Sequence, residues 1–243
     1  MNCKISIVVP AFNEERLLPE SLNAINIASA AFADAGWTSE LIVCDNNSTD
    51  RTAEIAAAAG ARVVFEPVNQ ISRARNAGAT AATGEWLLFV DADSYPTREL
   101  CADVVTAIAD SQYVAGGSTV RVELKGIQYD VAIGWWNRVS RALNWAAGSF
   151  IFCETAAFRE VGGFTEKLFA AEEINLFRRL KRFARSRGRS IVILHRHPLL
   201  TSHRKAHLYT VREMLLFWIR TVATGGRTLR SSRESFPWYD GRR

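Results

Sequence analysis

The 243-residue chain contains no apolar run long enough to cross a bilayer, since a spanning helix needs about 20 such residues in succession. Its opening apolar run, Ile5 to Val9, is too short for a secretion signal and meets Pro10 at once. The four cysteines, Cys3, Cys44, Cys101 and Cys153, include no pair at C-x-x-C spacing. That excludes a clustered zinc motif and leaves buried free thiols in a reducing compartment. Internal repeats and linkers are also missing. With 48% hydrophobic and 23% charged residues, the composition excludes disorder as the main state. The length suits one large α/β domain whose core needs no disulfide or structural metal. The expected location is the cytoplasm.

Acidic residues are scarce in only one part of the chain. Residues 1–177 carry 13 basic and 22 acidic side chains, a balance of −9, whereas residues 178–243 carry 17 and 3, a balance of +14. A basic region of this kind points to an anionic partner, which charge alone does not identify.

What is present is an alternation of strands and helices. Lys4 to Val9 reads as a buried parallel strand, and Glu40 to Cys44, Ala61 to Phe65 and Trp86 to Val90 read as three further strands. Between them, Glu14 to Ala33, Arg51 to Ala59 and Ser72 to Thr83 have helical spacing. This is the βαβ pattern of a mostly parallel sheet flanked by helices. Ligands in such sheets bind beyond the carboxyl ends of the strands. The polar clusters at residues 10–15, 45–50 and 91–93 all fall at those ends. After Asp93 the pattern loosens. Val114 to Leu124 reads as extended with a bend at Gly116-Gly117, and Ser149 to Cys153 and Ile191 to Leu194 as strands. Ile127 to Trp145, Thr155 to Val161, Glu172 to Arg187 and Leu208 to Thr224 read as helices.

Asp91 and Asp93 close the strand Trp-Leu-Leu-Phe-Val. Two carboxylates at i and i+2 repel each other unless a hard divalent cation lies nearby. Asp45 follows the strand Leu-Ile-Val-Cys, and Ser48, Thr49 and Asp50 are available to cap the next helix. Asp45 is therefore free to accept from a base or a ribose. Arg73 and Arg75 are suited to a diphosphate, but two residues apart on a helix only one can face inward. Glu172 and Glu173 open a helix, where acidic residues complement the dipole or serve as a general base. Of His195, His197, His203 and His207, His203 is the candidate for reaching a metal.

These motifs, in order, resemble those of glycosyltransferase family 2. The matching segments are Ile-Val-Val-Pro-Ala-Phe-Asn-Glu-Glu, Cys-Asp-Asn-Asn-Ser-Thr-Asp, Arg75-Asn76-Ala-Gly78, Asp91-Ala-Asp93 and Gly162-Gly163-Phe164-Thr-Glu166 followed by Glu172-Glu173. The resemblance runs from about residue 4 to 183. It implies a GT-A fold, the Rossmann-like arrangement of nucleotide-diphospho-sugar transferases, and sugar transfer to an acceptor hydroxyl with inversion. It also implies a UDP- or GDP-type donor and a divalent cofactor, Mn²⁺ or Mg²⁺. Pro10, Ala11, Asn13 and Glu14 then line the nucleotide pocket, and Asp45 contacts the base. Arg73 or Arg75 and Ala92 lie along the donor, Asp91 touches ribose or metal, and Asp93 binds metal. Glu173 stands at the base position. This chain departs from the family pattern in having Glu-Glu for Glu-Asp, which keeps Glu172 a candidate. It also has Asn175 where an Asp is common. The expected organisation is a single domain over 1–225, with a donor half at 1–110, an acceptor half at 111–225 and a basic tail at 226–243.

The acceptor is expected to be a sugar, a lipid-linked molecule or another small molecule. Gly134 to Trp145 combines three tryptophans with two arginines, and Met214 to Ile219 lies between Arg212 and Arg220. Such mixtures suit peripheral contact with the cytoplasmic face of a membrane. Two rivals are a sugar-phosphate nucleotidyltransferase and a non-catalytic nucleotide-sugar binder. The first loop is acidic and lacks glycine, which argues against the former. No nucleic-acid-binding module is recognisable.

Overall fold

The computed structural model describes residues 3–122 and 127–202, and 213, 216–217, 219–221, 224–231 and 233–235 beyond them. Eight strands form one sheet in the order β3-β2-β1-β4-β7-β6-β8-β5. The strands are β1 (Lys4–Ala11), β2 (Thr38–Asp45), β3 (Arg62–Phe65), β4 (Trp86–Val90), β5 (Ser94–Tyr95), β6 (Tyr113–Val122), β7 (Phe150–Glu154) and β8 (Ser190–Thr201). The first four pair in parallel, with Ile7 opposite Leu41 and Leu88. β7 runs antiparallel to both β4 and β6. The fold is therefore the mixed, mostly parallel α/β sheet that the sequence led us to expect.

The sheet lies between two helical layers. On one face α1 (Leu18–Asp34) and α4 (Arg98–Ala109) bury Leu22, Ile25, Phe32, Leu100 and Val104 against β1, β4 and β7. On the other face α3 (Ile71–Ala81), α6 (Thr155–Glu160) and α7 (Glu172–Ser186) pack Ala79, Phe158, Leu176 and Leu180 on Phe89 and Ile151. The rings of Phe89, Phe158 and Phe164 form a cluster with centroids 5.1–5.7 Å apart. Two further helices, α2 (Thr52–Ala58) and α5 (Ile127–Leu143), complete the described set with a short 3₁₀ turn at Arg227–Arg230.

Three expectations need correction. The regular part of α1 starts at Leu18 and not Glu14. Residues 15–17 form a turn leading into it, in which the N–H groups of Leu17 and Leu18 share the Glu14 carbonyl (3.1 and 2.9 Å), and Pro19 suits the first turn that follows. The loosened region after Asp93 contains α4, whose start is capped by Thr97 accepting from Leu100 N at 3.2 Å. Gly116-Gly117 is not a bend but part of β6. A Cβ on Gly116 would lie 2.3 Å from the Phe152 ring, and one on Gly117 2.2 Å from the Ala146 Cβ. The glycines clear space for side chains crossing the sheet. Gly78 does the same for α3, since a Cβ there would come within 2.4 Å of Val8 Cγ1. α3 thus lies directly on β1, close enough to carry its arginine to the ends of the central strands. The expected helix from Leu208 to Thr224 lies mostly outside the described residues.

Candidate functional site

The carboxyl ends of β1, β2 and β4 open on one rim of the sheet. Pro10 and Ala11, the last residues of β1, are buried. Beyond them the loop is joined to the loop after β2. Asn46 N donates to Ala11 O (2.8 Å), Asn13 N to Ser48 Oγ (3.0 Å), Thr49 N to Asn13 Oδ1 (2.8 Å) and Glu14 N to Thr52 Oγ1 (2.8 Å). Asn13 adopts φ +52°, a left-handed conformation that asparagine tolerates better than most residues. Glu14 and Asp45 are each only 6% exposed. Asp45 Oδ1 accepts from Ser48 N at 3.0 Å, so it closes its own turn in addition to facing the rim. The N-cap position of α2 is Arg51, without a side-chain cap; Asp50, one residue earlier, accepts from Thr52 N (3.0 Å) and from Glu15 N (3.1 Å). Burial opposes the Asp50 charge, but the hydrogen bonds from Thr52 and Glu15 hold its carboxyl below the ordinary range.

The two arginines of α3 separate completely. Arg75 is 1% exposed; its Nη2 donates to Asp91 Oδ1 (2.8 Å) and to Gly148 O (2.9 Å), and its Nη1 to Glu172 Oε1 (2.7 Å). The guanidinium also sits 5.1 Å from the centre of the Phe164 ring. Burial works against its charge, but Asp91 and Glu172 more than offset this and raise its pKa. Arg73 points the other way and pairs with Glu166 at 2.8 Å in the open.

Arg75 therefore fastens the end of β4 to the start of α7. Glu172 is occupied by that ion pair, whereas Glu173 is packed beside Gly148. A Cβ on Gly148 would lie 3.2 Å from Arg75 Nη2 and 3.7 Å from Glu173 Cδ. Burial, then the Glu172 charge, and further the Asp91 charge push the Glu173 carboxyl up to about 8. Ala171, just before the helix, is held at φ +59°.

Asp91 and Asp93 lie in the turn after β4, where Ala92 is buried. Asp91 Oδ2 makes no hydrogen bond among the described residues. Asp93 Oδ2 accepts from Ser202 Oγ (2.7 Å), and its carbonyl accepts from Ser202 N (2.9 Å). Among the described residues no group of three or more His, Cys, Asp or Glu side chains is gathered. Two hard carboxylate donors nevertheless fit a cation that takes its remaining ligands from substrate phosphates and water. His203 lies outside the described residues. His197 pairs with Asp103 of α4 (2.9 Å) and His195 is exposed on β8.

Several contributors carried no signal in the reading of the sequence. Asn46 bridges loops through Val68 O (2.6 Å) and Gln70 N (2.8 Å), and Gln70 Nε2 holds Glu166 O (2.8 Å). Asn76 clasps both the N–H and the C=O of Phe164 at 2.9 Å. Asn46 and Asn76 stood in quoted motifs, but without a role, and their partners, up to nearly ninety residues away, could not be read from spacing.

The glycosyl transferase family 2 model matches residues 6–162, and the chain belongs to that family. It is 43% identical over 89 residues to an uncharacterised glycosyltransferase of Mycobacterium tuberculosis, covering 37% of this chain and 36% of that one. The chain thus spans little more than a third of that relative. Among solved structures it resembles a mannosyltransferase of Pyrobaculum calidifontis in complex with GDP-Man and Mn²⁺. That match has TM-score 0.64 and 20% identity, covering 82% of this chain and 57% of the other. It also resembles residues 1–349 of Staphylococcus aureus TarS in complex with UDP-GlcNAc, with TM-score 0.64, 22% identity, and 91% and 66% of the respective chains covered. The fold is GT-A. Among the described residues no helix is long and apolar enough to cross a membrane.

Proposed function

We propose that this chain transfers a sugar, with inversion, from a nucleotide-diphosphate donor to an acceptor hydroxyl. The supporting observation is the buried Arg75, which links Asp91 at the end of β4 to Glu172 at the start of α7. The same neighbourhood then offers carboxylates for a metal-bound diphosphate on one side and a proton acceptor on the other. Residues 1–110 serve the donor, 111–225 the acceptor, and 226–243 form a basic tail.

The nucleotide lies against Pro10, Ala11, Asn13 and Glu14, with its base toward Asp45 and Ala92 beside the donor. Asp91 and Asp93 hold Mn²⁺ or Mg²⁺, with His203 as a further ligand; the bound ion supplies Lewis-acid stabilisation to the departing nucleotide. Arg73 is free to reach the donor if it releases Glu166. Glu173 is the general base. Glu172 is engaged by Arg75, whereas the carboxyl of Glu173 has a raised proton affinity near neutral pH, as removing a proton from a hydroxyl requires. Glu172 acts as a positioning residue through Arg75. The acceptor is a sugar, a lipid-linked molecule or a small molecule carrying a hydroxyl.

Calorimetric titration of UDP and GDP, each with and without Mn²⁺, tests the donor site in the wild type and in Asp93→Ala. Binding of one nucleotide that needs both metal and Asp93 is the expected result. Absence of binding to either nucleotide sinks the reading. Glu173→Gln should retain donor binding and lower turnover by about 10²–10⁴-fold. Donor binding with no turnover in the wild type toward any hydroxyl acceptor would favour a non-catalytic binder.

A further inference from the structure

Between Glu173 and Glu213 the sequence contains no Asp or Glu. Within that stretch α7 buries Leu176, Phe177, Leu180 and Ala184 on the sheet. Its outer face carries Arg178, Lys181, Arg182 and Arg185, at i, i+3, i+4 and i+7, so the four cations form one stripe. Neighbouring cations have partners. Arg179 donates to the carbonyls of Val161 and Gly163, Arg187 pairs with Glu160 (2.9 Å) and Arg189 with Glu154 (2.7 Å). The four of the stripe form no ion pair among the described residues, although each lies within a helix whose propensity would tolerate glutamates beside them.

The stripe continues onto the end of α5. Lys181 Nζ donates to Leu143 O (3.3 Å), and the Arg178 guanidinium lies 5.5 Å from the centre of the Trp145 ring. On α5 Trp135 is 64% exposed and Leu143 41%, with exposed Arg138 and Arg141 between them in sequence, also without ion pairs among the described residues. Unpaired cations repel one another and lower stability unless something anionic meets them. An exposed tryptophan and leucine beside them add an apolar anchor at the level where a lipid headgroup gives way to its acyl chains.

We infer that the outer face of α7 and the end of α5 form a docking surface for an anionic phospholipid membrane. Arg178, Lys181, Arg182 and Arg185 meet the headgroup phosphates, and Trp135 and Leu143 enter the boundary below them. The surface is separate from the Arg75 cluster, so it stands whether or not a nucleotide binds there. It turns the charge imbalance of the chain into an orientation, with the basic side toward the membrane.

Co-sedimentation of the full chain with phosphatidylcholine vesicles, with or without phosphatidylglycerol, tests this at low and physiological salt. Binding only to the anionic vesicles, weakening with salt, is expected. The triple variant Arg178→Gln, Arg182→Gln, Arg185→Gln should bind on the order of 100-fold more weakly, since each cation near an anionic surface contributes roughly a fivefold effect. Trp135→Ser should weaken binding without altering its salt slope. Unchanged vesicle binding in both variants overturns the assignment. So does a wild type that binds single-stranded RNA but no vesicle.

Discussion

Two stretches of the same rim are held in opposite ways. The loops after β1 and β2 are joined by Asn13, Ser48, Thr49 and Thr52 through hydrogen bonds that involve no buried ion pair. The end of β4 and the start of α7 are joined by one guanidinium, 1% exposed, between two carboxylates. A network of separate hydrogen bonds can lose members one at a time, each worth about 0.5–1.5 kcal/mol where both partners are neutral. A buried ion cluster cannot, because removing one partner leaves the others charged and out of water. The first stretch is built to keep a loop shape, the second to keep charges at fixed positions.

The sharpest test of this difference is Arg75→Met. The volume is nearly conserved, but Asp91 and Glu172 lose their counter-ion. Stability measured by urea unfolding near pH 7 should fall by about 3–5 kcal/mol, and partly recover at low pH as the carboxylates take up protons. A loss below about 1 kcal/mol would mean that the cluster is no more demanding than the loop network.

Glu173 extends the comparison to pH. Its carboxyl is raised to about 8 by burial and by Glu172. A carboxyl raised in the folded state favours folding fully below its unfolded value, and that contribution is lost as pH rises through the folded value. Glu173→Gln should therefore match the wild type near pH 4 and exceed it above pH 8. The gain there is on the order of 1–2 kcal/mol, below the full shift because water reaches part of the residue. Thermal melts across that range check it; parallel pH profiles for the two proteins would contradict the raised carboxyl. In the loop network, Asn13→Gly keeps the left-handed backbone and removes the bonds that Thr49 N and, at 3.4 Å, Thr49 Oγ1 donate to the Asn13 side chain. The expected loss is about 0.5–1 kcal/mol, read from the same melts and independent of pH.

How far the sequence could be read follows the same division. β1 and β4 are runs of Ile, Val, Leu and Phe buried on both faces, and such runs declare themselves, whereas β3 at the sheet edge is short and largely exposed. The motif residues at their ends were legible because a parallel sheet gathers its strand ends. α4 was legible but overlooked, since Leu100, Cys101, Val104 and Ala107 follow helical spacing behind the Thr97 cap. Gly116 and Gly117 were misread because their purpose, making room for Phe152 of β7 and for Ala146 in the loop before it, depends on segments that arrive later in the chain. The Arg75 cluster joins residues 75, 91, 148 and 172, and no local pattern predicts a contact across 97 positions. Local rules assign elements; long-range charge pairing appears only once the sheet has brought the elements together.

The smallest predicted effect separates Arg73 from Arg75. Both belong to the same turn of α3 and both form an ion pair at 2.7–2.8 Å. The Arg73–Glu166 pair is exposed on both sides, at 37% and 42% of the side-chain surface. Water already solvates these charges, so the pair adds little beyond the entropy lost in holding two long side chains together. Arg73→Ala should shift stability by no more than about 0.5 kcal/mol, and raising the salt should abolish even that difference. If Arg73 also reaches the donor once Glu166 releases it, Arg73→Ala will weaken nucleotide binding while the melt stays unchanged. If both quantities stay fixed, Arg73 is a surface charge and Arg75 alone serves the site. A melt that drops as far as that of Arg75→Met would show that distance, and not burial, governs these pairs.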